Sequence, residues 1–200
     1  PYAALNPIST PTAANGFGFI NSDAAGEGST TNADLTLVNP IDLSGQNFVT
    51  LEFYNVTRNY ASEYRVYVSG DNGGTWSEFV VNSHITTNIN SANPEKVSLN
   101  ISNVAGGQSQ VLIRFNFIAS WGWFWAVDDL KIIESFANDI DMTQMYSIAG
   151  AAELQYTKIP TTQVNGTTAI SFGADVVNLG SASQDLTLTV TNGAGYNESS

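Results

Sequence analysis

The sequence predicts an all-β protein that contains two modules. Between residues 16 and 133, short segments alternate apolar with polar side chains, which is the two-residue period of half-buried strands. Turns rich in Gly, Asn, Asp and Pro separate these segments. A sustained helical period with caps does not occur before residue 136. Seven or eight short strands in this pattern favour an antiparallel sandwich or a jelly roll.

The strands of the first module follow from this alternation. Asn39-Pro40 ends an early strand, because proline cannot donate a hydrogen bond to a sheet. Gly70-Asp71-Asn72-Gly73-Gly74 separates two alternating segments and is typical of a tight hairpin turn. In chain order, the predicted strands are residues 16–20, 34–38, 48–56, 63–69, 75–81, 95–101, 111–118 and 121–133.

The composition changes after Phe136, and a second β module is predicted there. Residues 156–160 indicate an edge strand that ends at a proline, and residues 168–177 and 184–191 alternate cleanly. A stable immunoglobulin-type sandwich needs about seven strands. We therefore expect the chain to contain only part of this module.

The charge balance excludes several classes of partner. The chain has 18 acidic and 6 basic residues and a formal net charge of −12, which disfavours nucleic acid and anionic lipid surfaces. The absence of cysteine excludes disulfides, thiol catalysis and zinc–thiolate sites. Apolar runs stay shorter than the roughly 18 residues that a membrane-spanning helix needs, so no membrane insertion is expected. The chain begins at Pro1 without a Met or a signal-peptide pattern, so we expect a piece of a larger, processed polypeptide.

Four motifs in a fixed order resemble one family of domains. Residues 32–45 resemble the "L-x-x-P-x-(I/F)-D-L-S-G" opening of MAM-like jelly-roll domains in secreted bacterial proteins. Residues 66–76 are similar to the family's "V-S-x-D-G-G-x-T-W" hairpin, with Asn72 as an insertion. Residues 111–115 and 125–132 resemble the closing "V-x-I-R-F" and "W-A-I-D-D-V-K-I" segments. The resemblance covers about residues 15–134.

The rest of the chain resembles the immunoglobulin-like modules that often follow such domains. The matching pieces are "Y-x-x-I-P-x-x-Q" in residues 156–163 and "V-x-N-x-G" in residues 176–180. The resemblance implies a non-catalytic region of a large surface or secreted protein of Bacteroidetes-type bacteria, exported by type IX secretion. It predicts an antiparallel jelly-roll β-sandwich in residues 1–136, followed by a partial immunoglobulin-like β-sandwich in residues 137–200.

Four carboxylates are candidate ligands of a structural calcium ion. A jelly roll places its first and last strands side by side, which would bring Asp23 and Asp34 near Asp128 and Asp129. Calcium prefers six to eight oxygen ligands, and loop 21–32 supplies many carbonyls. Because adjacent side chains in a strand point to opposite faces, Asp128 is favoured as the direct ligand. In the alternative interpretation, Asp128 and Asp129 end a strand and accept hydrogen bonds from loop amides.

Two tryptophans are candidate ligand-binding residues. Trp121 and Trp123 flank Gly122 in a predicted loop, where exposed indoles would stack on the rings of a glycan. The alternative is that they pack against the end of the sandwich. Trp125 lies in the strand and is assigned to the core.

The sequence favours a non-catalytic function. The chain has one histidine, His84, without cysteine or a Gly-x-Ser-x-Gly elbow, so a nucleophile triad is not predicted. The leading hypothesis is an extracellular adhesion or recognition region that binds a glycan or a surface protein. A second hypothesis is the ancillary region of a secreted peptidase whose catalytic domain lies outside this chain. A third is a structural spacer.

Overall fold

The computed structural model describes residues 8–149, 170–191 and 197–199. Contacts within the chain define two compact units, Pro1–Ser135 and Phe136–Ser200. This division lies one residue before the boundary expected from the sequence.

The described residues of the first unit form eight strands, and each predicted strand of the first module overlaps one of them. They are β1 (Gly18–Asn21), β2 (Thr30–Thr36), β3 (Val49–Arg58), β4 (Ser62–Ser69), β5 (Ser77–Val81), β6 (Glu95–Asn100), β7 (Leu112–Ser120) and β8 (Phe124–Glu134). The helical segments are short: 3₁₀ turns at Ala13–Asn15 and Asp23–Ala25, and α1 at Ser102–Ala105.

The strands form two four-stranded antiparallel sheets with the orders β1-β8-β3-β6 and β2-β7-β4-β5. β1 thus lies at the edge of one sheet with β8 beside it, and β2 lies at the edge of the other sheet with β7 beside it. This is the strand order of an eight-stranded jelly roll, in which two Greek keys are wound into facing sheets. The structure therefore confirms the all-β, antiparallel jelly-roll prediction.

Aromatic rings from both sheets meet in the core between them. Phe53 in β3 contacts Phe115 in β7 edge to face, with ring centroids 5.0 Å apart. Trp125 in β8 contacts Tyr64 in β4 at 5.4 Å and Phe115 at 5.8 Å. Edge-to-face pairs of this kind add to the energy of simple burial. The assignment of Trp125 to the core is correct, since only 3 % of its surface is exposed.

A buried amide connects this core to the loop that follows β5. The Asn55 Oδ1 atom accepts hydrogen bonds from Trp125 Nε1 at 3.0 Å and from Asn82 Nδ2 at 2.9 Å. Asn55 Nδ2 donates to the carbonyl oxygen of Glu95 at 3.2 Å. Asn55 is fully buried, so its polar atoms depend on these partners instead of water.

The outer face of the β1-β8-β3-β6 sheet contains a buried charge. Glu52 accepts from Lys96 Nζ at 2.5 Å and from Lys131 Nζ at 2.8 Å. Burial raises the pKa of Glu52, but the hydrogen bonds and charges of Lys131 and Lys96 together outweigh it and hold the pKa below its ordinary value.

The described part of the second unit consists of paired strands. β9 (Ile140–Ala149) pairs antiparallel with β10 (Ile170–Asn178), and β11 (Thr189–Thr191) pairs antiparallel with β12 (Asn197–Ser199). The pattern predicted β10 and β11 but missed β9. The predicted strand at residues 156–160 lies outside the described residues. The immunoglobulin-like character and the incompleteness of this unit stay predictions.

We predict that Asn55→Ala lowers the free energy of unfolding by about 2–4 kcal/mol, because it leaves the Trp125 and Asn82 donors buried without their acceptor. Chemical denaturation followed by tryptophan fluorescence measures this change. Asn103→Ala is the matched control, since Asn103 is exposed on α1. Its effect is expected to stay within about 0.5 kcal/mol. Equal effects of the two substitutions would contradict the role assigned to Asn55.

We also predict that Glu52→Gln lowers stability at neutral pH by about 1–2 kcal/mol, because hydrogen bonds to a charged group are lost. The lowered pKa of Glu52 means that its ionised form stabilises the fold above the pKa of the unfolded chain. This contribution disappears as the pH falls through the folded value. The free energies of unfolding of Glu52→Gln and of the parent should therefore converge as the pH is lowered from 7 to 2. Glu134→Gln, at an exposed position, is the control, and its free energy of unfolding should equal that of the parent at every pH.

Candidate functional site

Four connections of the first unit lie at the same end of the sandwich. They are residues 22–29 between β1 and β2, 59–61 between β3 and β4, 82–94 between β5 and β6, and 121–123 between β7 and β8. These segments are called the loop end. Backbone hydrogen bonds join them, from Ser22 N–H to the Trp123 carbonyl (2.9 Å), from Trp121 N–H to the Ser29 carbonyl (2.8 Å), and from Asn88 N–H to the Asn59 carbonyl (2.7 Å).

Trp121 presents part of its indole to solvent at the loop end. Its backbone has a φ of 48°, a left-handed conformation that bulky residues rarely adopt. The next residue, Gly122, is confined, since a Cβ there would lie 2.4 Å from Ser62 Oγ. The Trp121 side chain is 37 % exposed and meets Tyr60 edge to face, with ring centroids 6.3 Å apart. Strained backbone of this kind concentrates at functional sites.

Trp123 has a different environment from Trp121. Its Nε1–H donates to Asn88 Oδ1 at 3.0 Å, and the Arg58 guanidinium lies 4.5 Å from the centre of its ring. The indole also packs against an apolar cluster on the outer face of the sheet, which consists of Ile8, Val56, Phe124 and Ala126. Trp123 is half-buried and engaged by neighbours on several sides, which leaves Trp121 as the more exposed of the two tryptophans, beside the half-buried Tyr60.

Sequence reasoning did not identify Tyr60 or Arg58 as part of this site. Arg58 is the last residue of β3 and Tyr60 lies in the β3–β4 connection, about sixty residues from the tryptophans that they contact. The only signal was an aromatic residue between two alternating segments. Such a pattern does not show which loops meet in space.

Asp128 and Asp129 lie at a β-bulge in β8. Glu52 pairs with Lys131 and Tyr54 pairs with Asp128, so two residues of β8 oppose one residue of β3. Asp129 has a φ of 52°, as expected for a residue that interrupts the regular ladder. The local alternation of side chains is therefore lost at this point.

The bulge directs both carboxylates toward the N-terminal segment. The Thr10 hydroxyl donates to Asp128 Oδ2, and the Thr12 hydroxyl donates to Asp129 Oδ1. Thr12 Oγ1 also lies 3.5 Å from Asp128 Oδ2. The expectation that alternation would separate the two side chains was wrong here, because it assumed a regular strand.

The other two predicted calcium ligands lie elsewhere. Asp23 is at the loop end, where its N–H donates to the Trp123 carbonyl. Trp123 and Asp128 are five residues apart in the chain, which corresponds to about 16 Å along an extended strand. Asp34 belongs to the opposite sheet, where its Oδ1 accepts from Asn116 Nδ2 at 2.7 Å.

The four carboxylates therefore do not form one site. β1 does pair with β8, as expected, but the register places Gly18 and not Asp23 beside Val127. Within the described residues, no three His, Cys, Asp or Glu side chains are grouped as metal ligands. Calcium binding stays a prediction, without support from the positions of these four residues.

Comparison with known proteins does not assign the chain to a family. Neither a scan of family models nor a search of curated proteins gives a match. The resemblance to MAM-like and immunoglobulin-like domains thus stays a prediction. Among the described helices, none has the length and apolar character to cross a membrane.

The threonine contacts at the bulge give a testable prediction. Thr10→Val should lower the free energy of unfolding by about 1.5–3 kcal/mol, because Thr10 is buried and its hydroxyl donates to a carboxylate. Thermal or chemical unfolding measures the loss. Ser9→Ala is the matched control, since Ser9 is exposed and its hydrogen bond to Asn93 comes from its backbone. A destabilisation no larger than that of Ser9→Ala would argue against the contact.

Proposed function

We propose that the first unit is a non-catalytic recognition module that binds a glycan at its loop end. The observation that carries this proposal is the exposed Trp121 beside the half-buried Tyr60, where the backbone of Trp121 holds its indole partly outside the core at a left-handed φ. A sugar ring would stack its C–H face on the indole. Four connected loops around this pair give it a defined position.

Exposed polar groups in the loop-end segments suit the hydroxyl groups of a sugar. Asn88 and Ser83 lie in the 82–94 loop and are exposed, and amide or hydroxyl side chains both donate and accept hydrogen bonds. The exposed Glu27 lies in the 22–29 loop. With a net charge of −12 on the chain, a neutral or cationic glycan is favoured over an acidic one.

The acidic pair at the bulge supports a non-catalytic role. Glycoside hydrolysis uses two carboxyl groups that face each other about 5–10 Å apart across the scissile bond. Asp128 and Asp129 are neighbours on one strand and both accept hydrogen bonds from threonine hydroxyls. This arrangement suits the attachment of the N-terminal segment and not acid–base chemistry on a sugar.

The proposal includes an extracellular setting, on a secreted or surface protein and as part of a larger polypeptide. The composition supports it, since the chain has no cysteine and is poor in charged residues. A recognition surface at one end of a sandwich also suits a module whose remaining surface faces its neighbours in a longer chain.

Binding to a glycan array tests the proposal, followed by titration of the best ligand with tryptophan fluorescence as the readout. We expect Trp121→Ala to weaken binding at least about tenfold, the equivalent of about 1.4 kcal/mol. Tyr60→Ala should weaken it less, because Tyr60 is half-buried whereas Trp121 is exposed.

The matched control is Trp76→Ala. Trp76 lies before β5, at the other end of the sandwich, where its ring packs under the Arg114 guanidinium at 4.4 Å. Its removal should leave glycan affinity unchanged. A blank array, or equal affinities of Trp121→Ala and the parent, would overturn the proposal.

A further inference from the structure

A second candidate site lies away from the loop end, at the edge of the sandwich. β1 and β2 are the edge strands of the two sheets, and Gly18 of β1 lies against the Leu35 side chain of β2. A cavity of about 410 Å³ opens there, and a smaller cavity of about 170 Å³ shares Gly18, Leu35, Phe115 and Val127 with it. These two cavities together are called the edge cleft. The volume of the larger one falls within the usual range for small-molecule sites.

The wall of the larger cavity is mostly apolar. Its floor includes Phe53, Ile113 and Leu130, which belong to the core between the sheets or pack against it. Leu35 forms part of the rim and is 51 % exposed. An apolar ligand group that covered this surface would remove it from water, which is the main source of affinity in such sites.

Gly18 lines both cavities and leaves no room for a side chain. A Cβ at this position would lie 2.6 Å from Leu35 Cδ2 and 3.0 Å from Val127 Cγ2. Any side chain here would therefore occupy the space between the two edge strands. The larger cavity also involves the beginning of β1 and the end of β2, so it lies toward the end of the sandwich opposite the loop end.

The ionisable residues that line the edge cleft are all acidic. Asp128 and Asp129 line the larger cavity and Asp34 lines the smaller one, and neither lining includes a Lys or an Arg. The bulge in β8 turns the two adjacent carboxylates to the same side, where they accept from Thr10 and Thr12. The Asp129 N–H also donates to Asp128 Oδ1 at 2.9 Å, so uncharged groups supply these hydrogen bonds and none of them neutralises the acidic pair.

We propose that the edge cleft binds a small hydrophobic amine, with the apolar body in the larger cavity and the ammonium group beside Asp128 and Asp129. An ammonium supplies three donors to the remaining acceptor sites of the two carboxylates. An anionic head group would be repelled at the same position, and a neutral one would lack the charge attraction. This site is independent of glycan binding at the loop end.

Three probes with similar phenyl bodies and different head groups test the proposal. They are 2-phenylethylammonium, 2-phenylethanol and 3-phenylpropionate, each titrated into the ¹⁵N-labelled chain and followed by amide chemical shifts. We expect the amine to bind at least about tenfold more tightly than the alcohol, with the carboxylate weakest. The largest shifts should lie at Gly18, Leu35 and Val127.

Substitutions test separately how much the acidic groups and the apolar cavity contribute to amine affinity. Asp128→Asn with Asp129→Asn keeps acceptors for the threonines and should reduce amine affinity to that of the alcohol. Glu27→Gln with Glu134→Gln removes two exposed acidic groups outside the edge cleft and should leave amine affinity unchanged. Leu35→Trp at the exposed rim should block all three probes, and its folding can be checked from the dispersion of the same spectra.

The possible outcomes decide the proposal. Head-group selectivity that depends on Asp128 and Asp129, with shifts at the edge cleft, supports it. Equal affinities for the three probes, shifts confined to the loop end, or no shifts at about 10 mM probe overturn it. Because Trp121→Ala should not alter amine binding, failure of the glycan proposal and failure of this one are distinguishable.

Discussion

The hydrogen bond from Trp125 Nε1 to Asn55 Oδ1 is the constraint on which the rest of the first unit depends. The Trp125 ring contacts aromatic residues of the opposite sheet, so its indole N–H must find an acceptor inside the core. Asn55 supplies that acceptor from the neighbouring strand β3, and Asn82 donates to the same oxygen from the loop beyond β5. One buried amide thus fixes the rotation of the central tryptophan, the register of two strands and the start of a loop.

Trp125 lies in β8 between the residues of the two candidate sites. Trp121 and Trp123 precede the strand and belong to the loop end, whereas Asp128 and Asp129 follow within the strand at the bulge. The candidate glycan surface and the edge cleft are therefore connected through one strand whose middle is held in the core. The N-terminal segment adds a second attachment at the bulge, where Thr10 and Thr12 donate to the two carboxylates.

Alternation and turn residues were sufficient to place the strands of the first unit and to predict an antiparallel sandwich or jelly roll, as in β4, where Tyr64, Val66 and Val68 are buried and the residues between them are half-buried. The bulge at Asp129 was not predictable in this way, since its left-handed φ leaves no mark in the hydrophobic pattern. The meeting of Tyr60 with Trp121 depends on which loops share an end of the sandwich, and the position of Asp23 depends on strand register. The strand β9 was missed although Ile140-Asp141-Met142-Thr143 alternates apolar with polar residues, because this segment directly follows the polar Asn138-Asp139 and the alternation is interrupted at Gln144.

The way in which the loop end is connected has a consequence for how its surface can change. Several of the bonds between its segments run from backbone N–H groups to backbone carbonyls, as between Trp121 and Ser29 and between Asn88 and Asn59, and the side chains of Asn59 and Trp123 add two more. Main-chain bonds do not depend on the identity of the side chains that project from the same residues. The architecture thus separates the scaffold from the recognition surface: substitutions at exposed loop positions alter what the surface contacts while the framework stays in place. Such a separation suits diversification of specificity, whether by natural variation or in a randomised library built on this jelly roll.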